Sequence, residues 1–173
     1  MSSGHFKPEH IPQLTPCITV LEPEESMSFY ELVFGFERID TPLIRDGLII
    51  FAEMFCLDAR IMLQRQGSFS SASQTPNQSG QQQGIGLYLY VPNVVEHYTK
   101  ANECGAEIVS EPLDTFWGDR IYTAKDLNGY IWTFAEQVEE RRDISELDDK
   151  QYQEYFAEDE PSDSLSQTQN LDR

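Results

Sequence analysis

Residues 118–136, which read GDRIYTAKDLNGYIWTFAE, align without a gap with residues 47–65, which read GLIIFAEMFCLDARIMLQR. Both stretches contain two runs of β-forming residues joined by a short turn. In the later copy the turn is Asp126-Leu127-Asn128-Gly129, and Asn-Gly is the strongest short-range signal for a hairpin. Each stretch is therefore predicted to be a pair of adjacent antiparallel strands, and the chain is predicted to contain an internal repeat.

A strand and a helix precede each hairpin. Residues 14–20 (LTPCITV) and 85–91 (IGLYLYV) are rich in β-branched and aromatic residues, which favours strands. The first helix is predicted to begin at Pro23 and end at Gly35. The residues that should form its apolar face are Met27, Tyr30 and Val33.

The second helix is predicted to start at Asn93, with Glu96 completing a capping box, and to end at Gly105. Short strands at residues 37–40 and 107–110 would then complete a βαβββ unit that is used twice. The sequence thus predicts an α+β fold of paired βαβββ modules that form a cupped mixed sheet.

Such a module cannot leave its second face bare, because its single helix covers only one side of a curved sheet. Two cupped faces would pair and enclose a groove suited to a ligand. The pairing could occur within one chain or between chains, as in domain swapping, and a homodimer is expected.

Composition divides the chain into five segments. We predict an N-terminal tail (1–11), a first module (12–66), a Gln/Ser-rich flexible linker (67–84), a second module (85–137) and an acidic, partly disordered C-terminal tail (138–173). Within the tail, residues 144–157 could form an acidic helix.

The chain is strongly acidic, with a net charge of −18. Residues 1–136 hold 18 acidic and 8 basic residues, so the modules are themselves acidic. Nucleic acid and anionic membrane surfaces are unsuitable partners, because their phosphates would be repelled. There is no apolar run of transmembrane length and no secretory signal, so we expect a cytoplasmic protein.

Two motifs resemble the vicinal-oxygen-chelate superfamily, the glyoxalase/bleomycin-resistance/dioxygenase type. FYELVFGFE (29–37) resembles its first-helix signature, and WGDRIYTAKDLNGYIWTFAEQ (117–137) resembles the end of its second module. The resemblance covers roughly residues 12–137. Metal-dependent members such as glyoxalase I hold a divalent metal with four side chains. The resemblance places the corresponding positions of this chain, by strand register, at Thr15, Met62, Gly86 and Thr133. These residue types are not plausible ligands, so no metal and no cofactor are expected.

The resemblance then implies the branch that binds bleomycin without a metal or a reaction. We predict a small-molecule binding protein that sequesters a cationic or aromatic ligand in the groove between modules, with no catalytic residues. Alternation places Tyr88 and Tyr90 on the groove face, where their rings could stack on a heterocycle. The predicted groove residues are Thr15, Cys17, Met62, Gln64, Tyr88, Tyr90, Trp117 and Thr133.

Two other functions remain open at this point. One is a metal-dependent glyoxalase-like lyase or a dioxygenase of the same superfamily. The other is a scaffold or regulatory protein that acts through its acidic tail. The neighbours Asp119 and Arg120 are interpreted as an ordinary charge pair near the mouth of the groove.

Overall fold

The structure, a computed structural model, describes residues 11–80, 85–141, 143, 145, 147, 148 and 150. The strands in this part of the chain are β1 (Cys17–Val20), β2 (Glu37–Arg38), β3 (Leu43–Arg45), β4 (Leu48–Cys56), β5 (Ala59–Arg65), β6 (Leu87–Tyr90), β7 (Glu107–Asp114), β8 (Asp119–Lys125) and β9 (Ile131–Gln137). The α-helices are α1 (Pro23–Phe29), α2 (Pro76–Ser79) and α3 (Val94–Glu103). A π-helical turn (Tyr30–Phe34) extends α1, and a short 3₁₀ turn (Ser68–Ser70) follows β5. None of these helices is long and apolar enough to cross a bilayer.

The predicted repeat is confirmed by the strand order of two mixed sheets. The first sheet runs β1-β5-β4-β2, and the second runs β6-β9-β8-β7. In each sheet the opening strand is parallel to the closing strand, and the other pairs are antiparallel. The α+β class and the βαβββ topology therefore hold. The first sheet also contains β3, a strand that the repeat did not predict, paired with β4.

The helices lie where their sequence signals place them. Met27, Tyr30 and Val33 are buried as predicted, and Gly35 ends the π-helical turn in the left-handed region at φ 73°. Asn93 caps α3 by accepting a hydrogen bond from the Glu96 amide at 3.0 Å.

Both sheets cover the same hydrophobic core, with the helices between them. Rings from the first module contact rings from the second: Tyr30 and Phe34 each lie 5.6 Å from Trp132, and Phe34 lies 4.8 Å from Phe134. His97 of α3 adds a polar link, because its ring nitrogens meet the Tyr122 hydroxyl at 2.6 Å and the Phe34 carbonyl at 3.2 Å.

The predicted pair of βαβββ modules is confirmed, and each module contributes its own mixed sheet. The faces that carry the helices turn inward to the shared core, so the opposite face of each sheet, called here its outer face, points away from the other module. Among the described residues of one chain, the two outer faces therefore do not meet in a groove. Pairing between chains, one of the two arrangements that the sequence left open, stays a prediction.

The β8–β9 turn joins the two modules as well as the two strands. Asp126 accepts hydrogen bonds from the Tyr30 hydroxyl at 2.7 Å and the Trp132 indole at 2.9 Å. Asn128 accepts from the Leu21 amide at 2.9 Å. Burial raises the pKa of Asp126, and these hydrogen bonds partly oppose that rise. The Asn-Gly turn predicted from local sequence is thus also a tertiary contact.

The predicted flexible linker contains local order where the structure describes it. Thr75 is buried and caps the short helix α2 by accepting from the Gln78 amide at 3.3 Å. Asn77 then donates to the Leu127 carbonyl at 2.9 Å, which docks the segment on the β8–β9 turn. Residues 67–80 thus include a short helix and a contact with the second module, and the flexibility of the linker stays a prediction. Residues 81–84, and most of the predicted helix at 144–157, lie outside the described residues.

Candidate functional site

A cavity of about 430 Å³ opens on the outer face of the second sheet. We call it the Asp119 cavity, and it is lined by Tyr88, Tyr90, Trp117, Asp119 and Arg141. A volume of this size falls in the range of sites that hold small organic ligands.

The two tyrosines reach the cavity because β6 alternates. Leu87 and Leu89 point into the core, whereas Tyr88 and Tyr90 are 46% and 50% exposed on the outer face. Their ring centroids lie 5.5 Å apart in an edge-to-face arrangement. Two aromatic surfaces are thus held side by side on a rigid strand.

Asp119, the first residue of β8, organises the polar part of the cavity. Only 4% of its surface is exposed. Its Oδ2 atom accepts three hydrogen bonds, from the hydroxyls of Tyr88 and Tyr90 at 2.7 Å each and from the Trp117 indole nitrogen at 3.0 Å. None of these three donors reaches Oδ1, so one carboxylate oxygen retains its acceptor capacity for a ligand.

A tight turn fixes Trp117 and Asp119 relative to each other. The Asp119 amide donates to the Thr115 hydroxyl at 3.1 Å, and that hydroxyl donates to the Asp119 carbonyl at 2.8 Å. Gly118 adopts φ 97°, which favours glycine, and a Cβ there would lie 2.8 Å from the Glu139 carbonyl oxygen. The amides of residues 138 and 139 both donate to the Gly118 carbonyl, which holds the chain that leads to Arg141.

The tyrosine hydroxyls are committed as donors to Asp119. Burial, followed by the hydrogen bond to Asp119, raises the pKa of Tyr88. The hydrogen bond to Asp119, followed by burial, raises the pKa of Tyr90, and the positive charge of Arg141 acts in the opposite direction. Because both hydroxyl protons point at Asp119, the phenol oxygens can offer only lone pairs to a ligand.

Comparison with known proteins places this fold and cavity in a family. Residues 9–134 match the model of the Glyoxalase/Bleomycin resistance protein/Dioxygenase superfamily. The chain belongs to this superfamily.

Two mycobacterial proteins are similar in sequence to this chain over three quarters of its length. Mb0911c of Mycobacterium bovis is 26% identical over 131 residues, which are 75% of this chain and 86% of that protein. Rv0887c of Mycobacterium tuberculosis is also 26% identical, over 75% of this chain and 76% of its own length.

Solved structures of the superfamily share the fold. TioX from Micromonospora sp. ML1 superposes with a TM-score of 0.59 at 24% sequence identity. The superposition covers 72% of this chain and 99% of the TioX chain. A glyoxalase/bleomycin resistance protein/dioxygenase family enzyme from Burkholderia phytofirmans superposes with a TM-score of 0.56 at 19% sequence identity. The superposition covers 70% of this chain and 95% of that enzyme's chain. At this level of identity the likeness supports the fold and nothing finer.

Three of the eight predicted groove residues meet in the Asp119 cavity: Tyr88, Tyr90 and Trp117. Thr133 lies beside Tyr88 in the strand register, on the same outer face, but it does not line the cavity. The other four belong to the first module. Cys17 is exposed and pairs in register with Met62, Gln64 follows on the same face, and Thr15 precedes β1. Within one chain the eight residues therefore form two groups on opposite sides of the core.

The sequence reasoning missed Asp119 and Arg141 as cavity residues. The interpretation of Asp119 and Arg120 as a charge pair is wrong, because Arg120 pairs with Asp114 at 2.6 Å. The Asp119 side chain instead lies on the outer face of the second sheet, two residues after Trp117 in the sequence. The available sequence signal was an acid close to an aromatic residue at the start of a strand. This signal indicates a binding site only when the fold brings the tyrosines of β6 next to it.

A second cavity, of about 510 Å³, lies against the first sheet. Its lining residues are Ile39, Phe55, Leu57, Asp58, Ala59 and Arg60. Arg60 forms an ion pair with Glu53 at 2.7 Å, and Glu53 lies opposite Met62 in the register. Arg60, the basic residue among the described lining of this cavity, is thus already paired with an acid outside that lining.

The divalent metal of glyoxalase-type relatives does not fit this chain. The corresponding positions offer a thioether at Met62, no side chain at Gly86, and hydroxyls at Thr15 and Thr133. Among the described residues, no group of three His, Cys, Asp or Glu side chains is placed to hold a metal ion. We therefore derive no reaction step through a metal.

Proposed function

We propose that the chain is a binding protein that sequesters a small cationic or aromatic compound without a metal, as the bleomycin-resistance branch does. The observation that carries this proposal is the Asp119 cavity, in which three aromatic side chains surround one buried carboxylate. Stacking surfaces and a single negative charge are the features that suit a flat ring with an attached cation.

The electrostatics of the chain support a cation. The Asp119 carboxylate accepts hydrogen bonds from neutral groups, and phenols that donate to it become better acceptors themselves. Cations also favour aromatic faces, by about 0.5–1 kcal/mol at exposed sites and about 2 kcal/mol when desolvated. The net charge of −18 adds a long-range attraction.

A second copy of the chain is the proposed partner that completes the site. Nothing in the described part of the chain covers either outer face, and the predicted residues Cys17, Met62 and Gln64 lie on the other side of the core from Tyr88 and Tyr90. Pairing the first module of one copy with the second module of the other would bring the two groups together. This homodimer would turn an open cavity into an enclosed groove.

The proposal is tested by substituting Trp117. Trp117→Ala removes one stacking surface and one donor to Asp119, so tryptamine, an aromatic amine, should bind more weakly by about 1–2 kcal/mol. Trp117→Phe keeps a ring and should retain part of the affinity. Isothermal titration measures both, with bleomycin as a larger cationic probe. Unchanged affinity in Trp117→Ala would remove the cavity from consideration as the binding site.

Elemental analysis separates this proposal from the lyase or dioxygenase alternative. A binding protein of this kind should give the same tryptamine affinity before and after treatment with a chelator. One tightly bound metal per chain in protein purified without chelators would make an enzyme the better account.

A further inference from the structure

Arg141 gives the Asp119 cavity a second, opposite charge. It is the one basic residue among the five described residues that line the cavity. Its position follows from the contact of residues 138–140 with Gly118, where two amides donate to the glycine carbonyl. Backbone contacts of the preceding residues therefore bring Arg141 to the cavity, where its side chain is exposed.

Asp119 and Arg141 do not neutralise each other. In the described part of the chain no ion pair joins them, and the three donors recorded on the Asp119 carboxylate are Tyr88, Tyr90 and Trp117. The positive charge acts instead on the hydroxyl of Tyr90, at the exposed side of the cavity. The cavity is consequently dipolar, with an acceptor wall at the carboxylate and tyrosine oxygens and a donor at Arg141.

A ligand with only a positive charge matches half of this arrangement. It would gain from Asp119 and from the rings, but it would meet a like charge at Arg141. A ligand with only a negative charge would face both the carboxylate and the acidic chain. A ligand that carries both charges, separated by a short spacer, satisfies both ends.

We propose that the ligand is an aromatic zwitterion, with an ammonium group on Asp119 and the tyrosine oxygens, a carboxylate on Arg141, and its ring against Trp117. Free aromatic amino acids are the simplest members of this class. The inference rests on the proposed binding function and narrows it to a class of compound.

Three indole compounds test the inference, because they share one ring and differ in charge. Tryptophan is the zwitterion, tryptamine the cation and indole-3-propionate the anion. The full-length protein should bind tryptophan about two- to fivefold more tightly than tryptamine, the range expected for one solvent-exposed ion pair. Indole-3-propionate should bind most weakly.

Arg141→Gln should reverse the order of the affinities for tryptophan and tryptamine. Without the guanidinium the tryptophan carboxylate meets only the negative field of the chain, so tryptamine becomes the tighter ligand. Arg120→Gln is the matched control, because it removes the same charge from β8 outside the cavity, and it should keep the wild-type order of affinities.

The outcomes separate this inference from the proposed function. Two outcomes would refute the zwitterionic ligand and leave the binding function standing. In one, tryptamine binds through Trp117 but tryptophan binds no more tightly. In the other, Arg141→Gln leaves the ratio of the two affinities unchanged. If none of the three probes binds at millimolar concentration, both fail. A preference for tryptophan that Arg141→Gln abolishes supports both.

Discussion

At the scale of single residues, two buried aspartates of the second module show how a structural acid differs from a binding acid. Asp119 and Asp126 are each 4% exposed. Asp126 uses both oxygens within the protein: Oδ1 accepts two backbone amides, and Oδ2 accepts the Tyr30 hydroxyl and the Trp132 indole. The donors to Asp119 all converge on Oδ2. Asp126 therefore holds the modules together, and Asp119 keeps an oxygen for a ligand.

The Tyr30 hydroxyl should contribute strongly to stability because its acceptor is a buried carboxylate. Tyr30→Phe should lower the free energy of unfolding by about 1.5–3 kcal/mol, the usual range for a hydrogen bond to a charged group. Tyr98→Phe is the matched control, since the Tyr98 hydroxyl makes none of the described hydrogen bonds. Chemical denaturation at neutral pH measures both, and equal losses in the two variants would contradict the role of Asp126.

The effect of Tyr30→Phe should depend on pH. Burial raises the pKa of Asp126, and the Tyr30 hydrogen bond lowers it again in part. Removing that hydrogen bond raises the folded-state pKa further and leaves the unfolded-state pKa unchanged. The stability lost in Tyr30→Phe should thus be largest above both folded-state pKa values and should shrink as the pH falls through them. Denaturation curves collected from neutral to acid pH test this direction.

Residue-level prediction succeeded where periodicity decides the answer. Strand alternation put Tyr88 and Tyr90 on one face correctly, because that pattern depends only on backbone geometry. The same reasoning could not find Asp119 as their partner. The three hydrogen bonds on its carboxylate span 31, 29 and 2 positions in the chain, and the two longer ones arise only when β6, β9 and β8 lie side by side.

At the scale of elements, the turn before β8 links the cavity to the start of the C-terminal tail. Gly118 combines a left-handed backbone with a close approach to the carbonyl oxygens of Glu139 and Glu140, at 2.8 and 2.9 Å from a built Cβ. The tail prediction treated everything after residue 137 as a separate segment. Residues 138–140 instead pack their backbone on Gly118, and Arg141 after them lines the Asp119 cavity.

Substitution of this glycine should cost more than its backbone conformation alone. Gly118→Ala should lower the free energy of unfolding by about 1–3 kcal/mol more than Gly47→Ala, because a new methyl group collides with backbone that must move. Gly47 is the matched control, since it has a similar positive φ of 79° with nothing within 4 Å of a built Cβ. Equal losses by chemical denaturation would show that the contact with residues 139 and 140 contributes nothing.

Elements with strong local signals were predicted, and those without were missed. The two hairpins and both helices carry periodic apolar residues or caps, so their positions were correct. The strand β3 has three residues, all exposed, and gives no burial pattern to read. In the linker, serine and glutamine composition hid the Thr75 cap and the Asn77 contact, because docking there depends on a turn that is 50 residues away.

At the scale of the whole molecule, the back-to-back packing of the two modules leaves both outer faces in need of a partner. Sedimentation should therefore give about twice the 19.9 kDa of one chain, since a second copy would cover both faces. Met62→Lys, on the outer face of the first sheet, should shift the protein toward monomer. Leu32→Lys on the exposed side of the π-helical turn should not. A monomer at micromolar concentration in the wild type would contradict the proposed homodimer.

The acidic tail should be dispensable for binding beyond the residue that reaches the cavity. A chain that ends at Arg141 keeps every residue that lines the cavity, so its affinity for tryptamine should match that of the full chain. A large loss would favour the alternative in which the tail carries the function.

The central claim is that the Asp119 carboxylate draws a cation into an aromatic cavity, and titration of tryptamine into wild type and Asp119→Asn tests it most directly. Asparagine keeps the size of the side chain and one oxygen for the tyrosine donors, but it removes the charge. The account predicts a loss of about 1.5–3 kcal/mol in binding, or roughly ten- to a hundredfold in affinity, together with a weaker dependence on salt. Equal affinities in the two proteins would contradict it.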